Sequence, residues 1–162
     1  MGVTGSGKTT VGRLLADALG MPFLDADDFH DEHAIAKMHA GIPLDDADRA
    51  PWLDRLNQAL RAHTDGVVLA ASALTAASRD RLGRGVDDVR YVLLTGNPSI
   101  IAARLAARVG HFAGPALLPS QFDLLQPPAD AVVVDVAASS DVVAARALRG
   151  LGLSPRRDRG TP

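Results

Sequence analysis

Apolar positions along this chain fall into two spacings, unbroken runs and stripes recurring every three to four residues, and the two kinds alternate from end to end. Val11, Leu14, Leu15, Ala18 and Leu19 form a stripe that predicts a helix starting at Gly7-Lys8 and closing at Gly20. Met21 to Leu24 reads as a short strand running into Asp25-Ala26-Asp27. Residues 28–40 have helical composition, with Phe29, Ile35 and Met38 loosely on one side, and Gly41-Ile42-Pro43 stops them. Asp45 to Arg49 offers a polar turn and cap, Pro51 suits a first helical turn, and Trp52, Leu53, Leu56, Ala59 and Leu60 make an apolar face through His63. Val67 to Ala71 is an unbroken run, which predicts a parallel strand buried on both faces. A short helix from Thr75 to Leu82, a strand from Val89 to Leu94 and a helix opening at Asn97-Pro98 follow. Leu117 to Leu125 is a further short helix, Ala131 to Val134 a strand ending at Asp135, and Ser139 or Ser140 caps a last helix. Alternating strands and helices predict a single α/β domain over 1–152, with a parallel sheet flanked by helices. Residues 153–162, rich in Arg, Pro and Gly, read as a disordered tail.

Composition narrows the function. With 162 residues, 47% of them hydrophobic, the chain supports one core and not two ordinary domains. A net charge of −2 gives no global positive field for nucleic acid, so an anionic ligand needs a local basic site. The absence of cysteine excludes disulfides, thiolate metal sites and a cysteine nucleophile. No apolar run approaches the ~20 residues of a membrane span, and the expected location is cytoplasmic. Met1-Gly2 with Ser6 matches a myristoylation pattern, but those residues are committed to the motif described next.

Gly2-Val3-Thr4-Gly5-Ser6-Gly7-Lys8-Thr9 has four spacer residues between glycines, then Lys and a hydroxyl, and opens a helix. Its backbone N–H groups, continuing to Thr10, suit nucleotide phosphates, Lys8 reaches the β- and γ-phosphates, and Thr9 suits Mg²⁺. The GxGxxG order of dinucleotide folds is absent, which points to a P-loop kinase of the small-molecule or nucleoside-monophosphate type. Asp25 and Asp27 sit at a strand's carboxyl end, where open α/β sheets bind ligands. With no clear acidic strand of the Walker B kind, Mg²⁺ must lean on Thr9, phosphate oxygens, water and Asp25. His30 and His33, three apart, lack a third ligand in sequence and read as solvated or substrate-facing. Arg104 and Arg108 share a helical face ahead of a segment bounded by Gly110 and Gly114, which reads as a lid over about 109–118 whose arginines clamp the transferring phosphate.

Together these residues resemble the thermoresistant-type gluconokinases. The resemblance rests on Leu24-Asp25-Ala26-Asp27 with His30, on Lys37-Met38, on Gly41 through Leu53, on Ser72-Ala73-Leu74 with Arg79-Asp80, and on Arg104 through Phe112 with Ser120-Gln121-Phe122. It covers residues 2 to about 150, and the stretch from Gly41 to Leu53 is its most specific part. It implies ATP-dependent phosphorylation of D-gluconate to 6-phosphogluconate on a five-stranded parallel sheet with a mobile lid, often as a homodimer. In it Asp27 accepts the attacking hydroxyl's proton, Asp25 holds the metal's water, and Lys8, Arg104 and Arg108 neutralise the γ-phosphoryl group. Besides Asp27 and His30, the substrate side has Lys37, Arg49, Arg79 and His111 as alternative cations for the gluconate carboxylate. The chain departs from the family pattern at Asp31, Ala34, Ala71, Thr75, Ser78 and Pro127, which leaves another acceptor, such as a shikimate-like one, as an alternative, and with the short stretch before the phosphate loop also leaves nucleotide binding without catalysis.

A phosphate loop of this class follows a buried central strand, yet only Met1 precedes Gly2. The expectation is that this strand is missing from the chain, that it belongs between the strands at Val67 and Val89, and that an apolar stretch is encoded upstream.

Overall fold

The computed structural model describes residues 1–40, 42, 44–107 and 117–156. Along the chain run α1 (Lys8–Leu19), β1 (Phe23–Asp25), a 3₁₀ turn (Ala26–Phe29), α2 (Glu32–His39), α3 (Asp46–Ala62), β2 (Val68–Ala70), α4 (Ala76–Leu82), β3 (Val92–Thr95), α5 (Pro98–Ala106), α6 (Leu118–Leu124), β4 (Val132–Asp135) and α7 (Ser140–Gly150). All strand pairing among the described residues is parallel. β1 lies beside β2 with Asp25 opposite Ala70, and β3 beside β4 with Thr95 opposite Asp135.

The sheet is therefore carried as two parallel pairs rather than one continuous sheet. The seam between β2 and β3 is bridged by Met1 and Gly2. The Met1 nitrogen donates to Val92 O (2.6 Å), Met1 O accepts from Leu94 N (2.9 Å), and Gly2 N donates to Ser72 O (3.3 Å). Gly2 has φ 143°, and a Cβ there would stand 2.5 Å from Leu94 O, so only glycine fits this crossing. One apolar cluster gathers Val11 and Leu15 of α1, Leu94, Ile101 and Leu105, Leu118, Val134 and the Val143 to Leu148 face of α7. A second lies under α3 and α4, where Leu53, Leu56 and Leu82 meet Ala26 and Ala71.

Several boundaries differ from those the periodicity predicts. The helix expected from residue 28 begins at Glu32, because the Asp25 carboxylate accepts from Asp27 N and tightens 26–29 into a 3₁₀ turn, after which Asp31 caps α2 through Ala34 N. Pro51 lies inside α3 and not in its first turn. A capping box between Asp45 and Asp48 starts the helix at Asp46, ahead of the proline. Strand β3 begins at Val92 and not Val89, following a left-handed turn at Asp88 (φ 51°). Within the tail expected from 153, Leu153 N donates to Leu148 O and Arg156 N to Ala18 O. Residues 157–162 lie outside the described residues.

Candidate active site

The loop from Gly2 to Gly7 turns on positive φ at Gly2, Gly5 and Gly7 and delivers α1 with no side chain capping its first turn. The positive end of that helix faces the loop, and the space beside Gly7 is open to 4 Å. Gly5 packs against Ile101 and Leu105, which seats α5 and its exposed Arg104 beside the loop. Lys8 Nζ donates to Val3 O at 3.0 Å, and Val3 O also accepts from Ser6 N at 3.3 Å.

The Thr9 hydroxyl donates to Asp25 Oδ2 at 2.8 Å, so the end of β1 and the start of α1 meet side chain to side chain. The second Asp25 oxygen accepts from Asp27 N at 3.2 Å and leaves the Asp27 side chain exposed at the rim. Thr9 and Asp25, both expected beside one metal, lie together in the structure. Both offer the hard oxygen donors that Mg²⁺ takes, and a pair of this kind leaves most positions for phosphate oxygens and water. No group of three His, Asp or Glu residues able to hold a metal occurs among the described residues.

On the other side of the crevice, the carboxyl end of β2 continues into a turn at Ser72-Ala73-Leu74. Ala73 holds φ 44°, a strained value for a residue with a Cβ. Arg79, only 7% exposed, secures it by donating from Nη1 to Ala73 O (3.0 Å) and Leu74 O (3.1 Å). Its guanidinium is thereby committed to backbone. Lys37 makes a bidentate pair with Asp48 (2.7 and 2.8 Å) that joins α2 to α3, and Arg49 pairs with Asp46 at 2.9 Å on the surface. Arg108, His111 and most of the lid segment lie outside the described residues, as do Gly41 and Pro43.

His30 stacks on Trp52, with ring centroids 4.7 Å apart and planes within 6°. Trp52 is anchored in turn by donating Nε1 to Ala26 O at 2.7 Å. His33 stands apart, mostly exposed and 3.9 Å from Asp48, so the two histidines do not converge. Burial, outweighing the nearby Asp27 and Asp31 carboxylates, lowers the His30 pKa below its ordinary value. The unfolded chain then binds its proton first as pH falls, so this histidine costs stability below the ordinary histidine pKa of about 6.5 and nothing above it. Melting temperature should therefore fall more between about pH 7.5 and about pH 5.5 in the wild type than in His30→Gln, and equal falls would contradict the assignment.

The departures from the family pattern are absorbed locally. Asp31 caps α2 and pairs with Arg55 at 3.2 Å, Ala34 is buried, and Thr75 caps α4 through Ser78 N while its hydroxyl bonds Ser78 Oγ at 2.9 Å. Three residues beside the site have no expected role in the sequence: Trp52, Arg55, which donates to Phe29 O, and Gln121, whose Oε1 accepts from Thr4 N at 2.7 Å. A lone tryptophan beside a candidate histidine was the available signal for the first, because a buried indole N–H needs an acceptor.

Residues 4–115 match the model of the shikimate kinase family. A probable gluconokinase of Rattus norvegicus is 46% identical over 149 residues, spanning 79% of this chain and 80% of the relative. A gluconokinase of Arabidopsis thaliana is 48% identical over 143 residues, spanning 78% of this chain and 75% of the relative. The crystal structure of a gluconokinase from Sinorhizobium meliloti 1021 superposes with a TM-score of 0.84 at 40% identity, covering 94% of this chain and 89% of that one. With this likeness and with a phosphate loop facing an Asp-x-Asp strand end, the chain belongs to the gluconokinase family of small P-loop kinases.

Proposed function

We propose that the protein transfers the γ-phosphoryl group of ATP to D-gluconate, giving 6-phospho-D-gluconate and ADP. The observation that carries this reading is the Thr9–Asp25 contact, which joins the phosphate loop to the strand end bearing Asp27 in a chain whose relatives are gluconokinases. Phosphoryl transfer needs alignment and charge neutralisation more than covalent help. The loop N–H groups and Lys8 hold the β- and γ-phosphates, and Arg104 and Arg108 add positive charge to neutralise the transferring group. Asp27 takes the proton of the gluconate 6-hydroxyl as its oxygen bonds to phosphorus, and the bond from phosphorus to the β-phosphate oxygen breaks to release ADP. Thr9 and Asp25 would hold Mg²⁺, which would supply further charge neutralisation on the two phosphates.

For the gluconate carboxylate, Lys37 and Arg49 are the cations whose present partners are carboxylates and can be exchanged for one. Arg79 serves the acceptor side by shaping the Ala73 turn, and His111 from the lid remains a further cation in the proposal. No described helix is long and apolar enough to cross a membrane. We place the reaction in the cytoplasm and the protein in a homodimer. ADP release measured across gluconate, shikimate, other sugar acids and nucleoside monophosphates tests the acceptor. Gluconate is expected to give the highest kcat/KM, and turnover of another acceptor without gluconate turnover would overturn the reading.

A further inference from the structure

One peptide unit of the phosphate loop is held by a side chain from a distant helix, and that same unit carries the lysine contact. Val3 O and Thr4 N belong to the same planar amide, in which C=O and N–H point in opposite directions. Its oxygen accepts from Lys8 Nζ at 3.0 Å, and its nitrogen donates to Gln121 Oε1 at 2.7 Å. Fixing the N–H therefore fixes the direction of the oxygen on which the ammonium rests. A hydrogen bond on the N–H side also polarises the amide and strengthens its oxygen as an acceptor.

The Gln121 side chain is well placed to act as a fixed point. Helix α6 is anchored by Leu118, 5% exposed, and by Phe122 packed against the main core cluster. Just beyond the helix, Gln126 N donates to Leu74 O (2.9 Å) and Gln126 Oε1 accepts from Ala76 N (2.8 Å). The same short segment thus grips the acceptor turn at one end and the phosphate loop at the other. Thr4 itself is 6% exposed, so its N–H has no ready access to water if Gln121 is lost.

We infer that Gln121 is a positioning residue for phosphoryl transfer, orienting the Val3–Thr4 amide so that its carbonyl sets the Lys8 ammonium in register with the acceptor turn. This rests on the kinase reading for its rate effect but not for its effect on nucleotide. Gln121→Met keeps the side-chain length and removes the acceptor, whereas Gln121→Glu keeps an oxygen at that place. With whichever acceptor turns over, Gln121→Met should lower kcat about tenfold with acceptor KM unchanged, and Gln121→Glu should recover most of that loss.

Affinity for a non-hydrolysable ATP analogue, measured by calorimetry, needs no acceptor and so separates failure of this inference from failure of the gluconate assignment. Gln121→Met should weaken the analogue about fivefold in the wild-type background and not at all beside Lys8→Ala, because the effect passes through the lysine. Equal weakening in both backgrounds, or a Gln121→Glu variant as slow as Gln121→Met, would overturn the inference. Should Gln121→Met not fold, Gln121→Asn, whose amide stops one methylene short of Thr4, takes its place in both measurements.

Discussion

Lys8→Ala should lower kcat at least about a thousandfold while leaving the melting temperature close to that of the wild type. The lysine is partly exposed at the crevice, and its contact with Val3 O is shared with Ser6 N, so truncation leaves that carbonyl a partner and opens no core cavity. Its main consequence is electrostatic. In the proposed reaction the ammonium would face phosphates whose negative charge redistributes toward the leaving oxygen in the transition state, where a preorganised cation counts for more than it does in the ground state. Near-normal turnover by Lys8→Ala would remove the loop from the mechanism.

Asp27→Asn should lower kcat by about 10²–10⁴ with much less change in ATP affinity, the range expected when a general base is lost. The amide keeps the size of the carboxylate. It also leaves the backbone bond from residue 27 to Asp25 Oδ1, which shapes the 3₁₀ turn, in place. Thr9 and Asp25 keep their contact, so the nucleotide side of the crevice is undisturbed. Retention of more than about a tenth of the wild-type rate would put the base at another residue.

The parts of this molecule written in local pattern could be read without the structure. The helical stripe after Gly7, the apolar runs at Val67 and Ala131 and the proline at Asn97-Pro98 each specify their element through nearest neighbours, and α1, β2, β4 and α5 sit where those signals place them. The phosphate loop and the place of Asp25 at a strand end were legible for the same reason, since glycine spacing and an apolar run are local signals. Boundaries set by competing side-chain bonds were not. The Asp45–Asp48 capping box outruns Pro51, and the Asp25–Asp27 bond delays α2.

Cation roles were the least legible feature. A sequence shows that Lys37 and Arg79 are positive, not that Asp48 and the Ala73 and Leu74 carbonyls already engage them. Gln121 illustrates the same limit at long range. Its partner Thr4 lies 117 residues away, and although Gln121 belongs to a segment that carries the resemblance, nothing local in the sequence names that partner.

The most direct test of the whole account is to identify the product. Wild-type protein incubated with ATP, Mg²⁺ and D-gluconate can be followed by phosphorus and carbon NMR, with Lys8→Ala as the control. ADP and a phosphate monoester on the 6-oxygen of gluconate should appear in equal amounts, and neither with the control. A wild-type protein that binds ATP but forms no gluconate phosphate, while phosphorylating another acceptor or none, would contradict it.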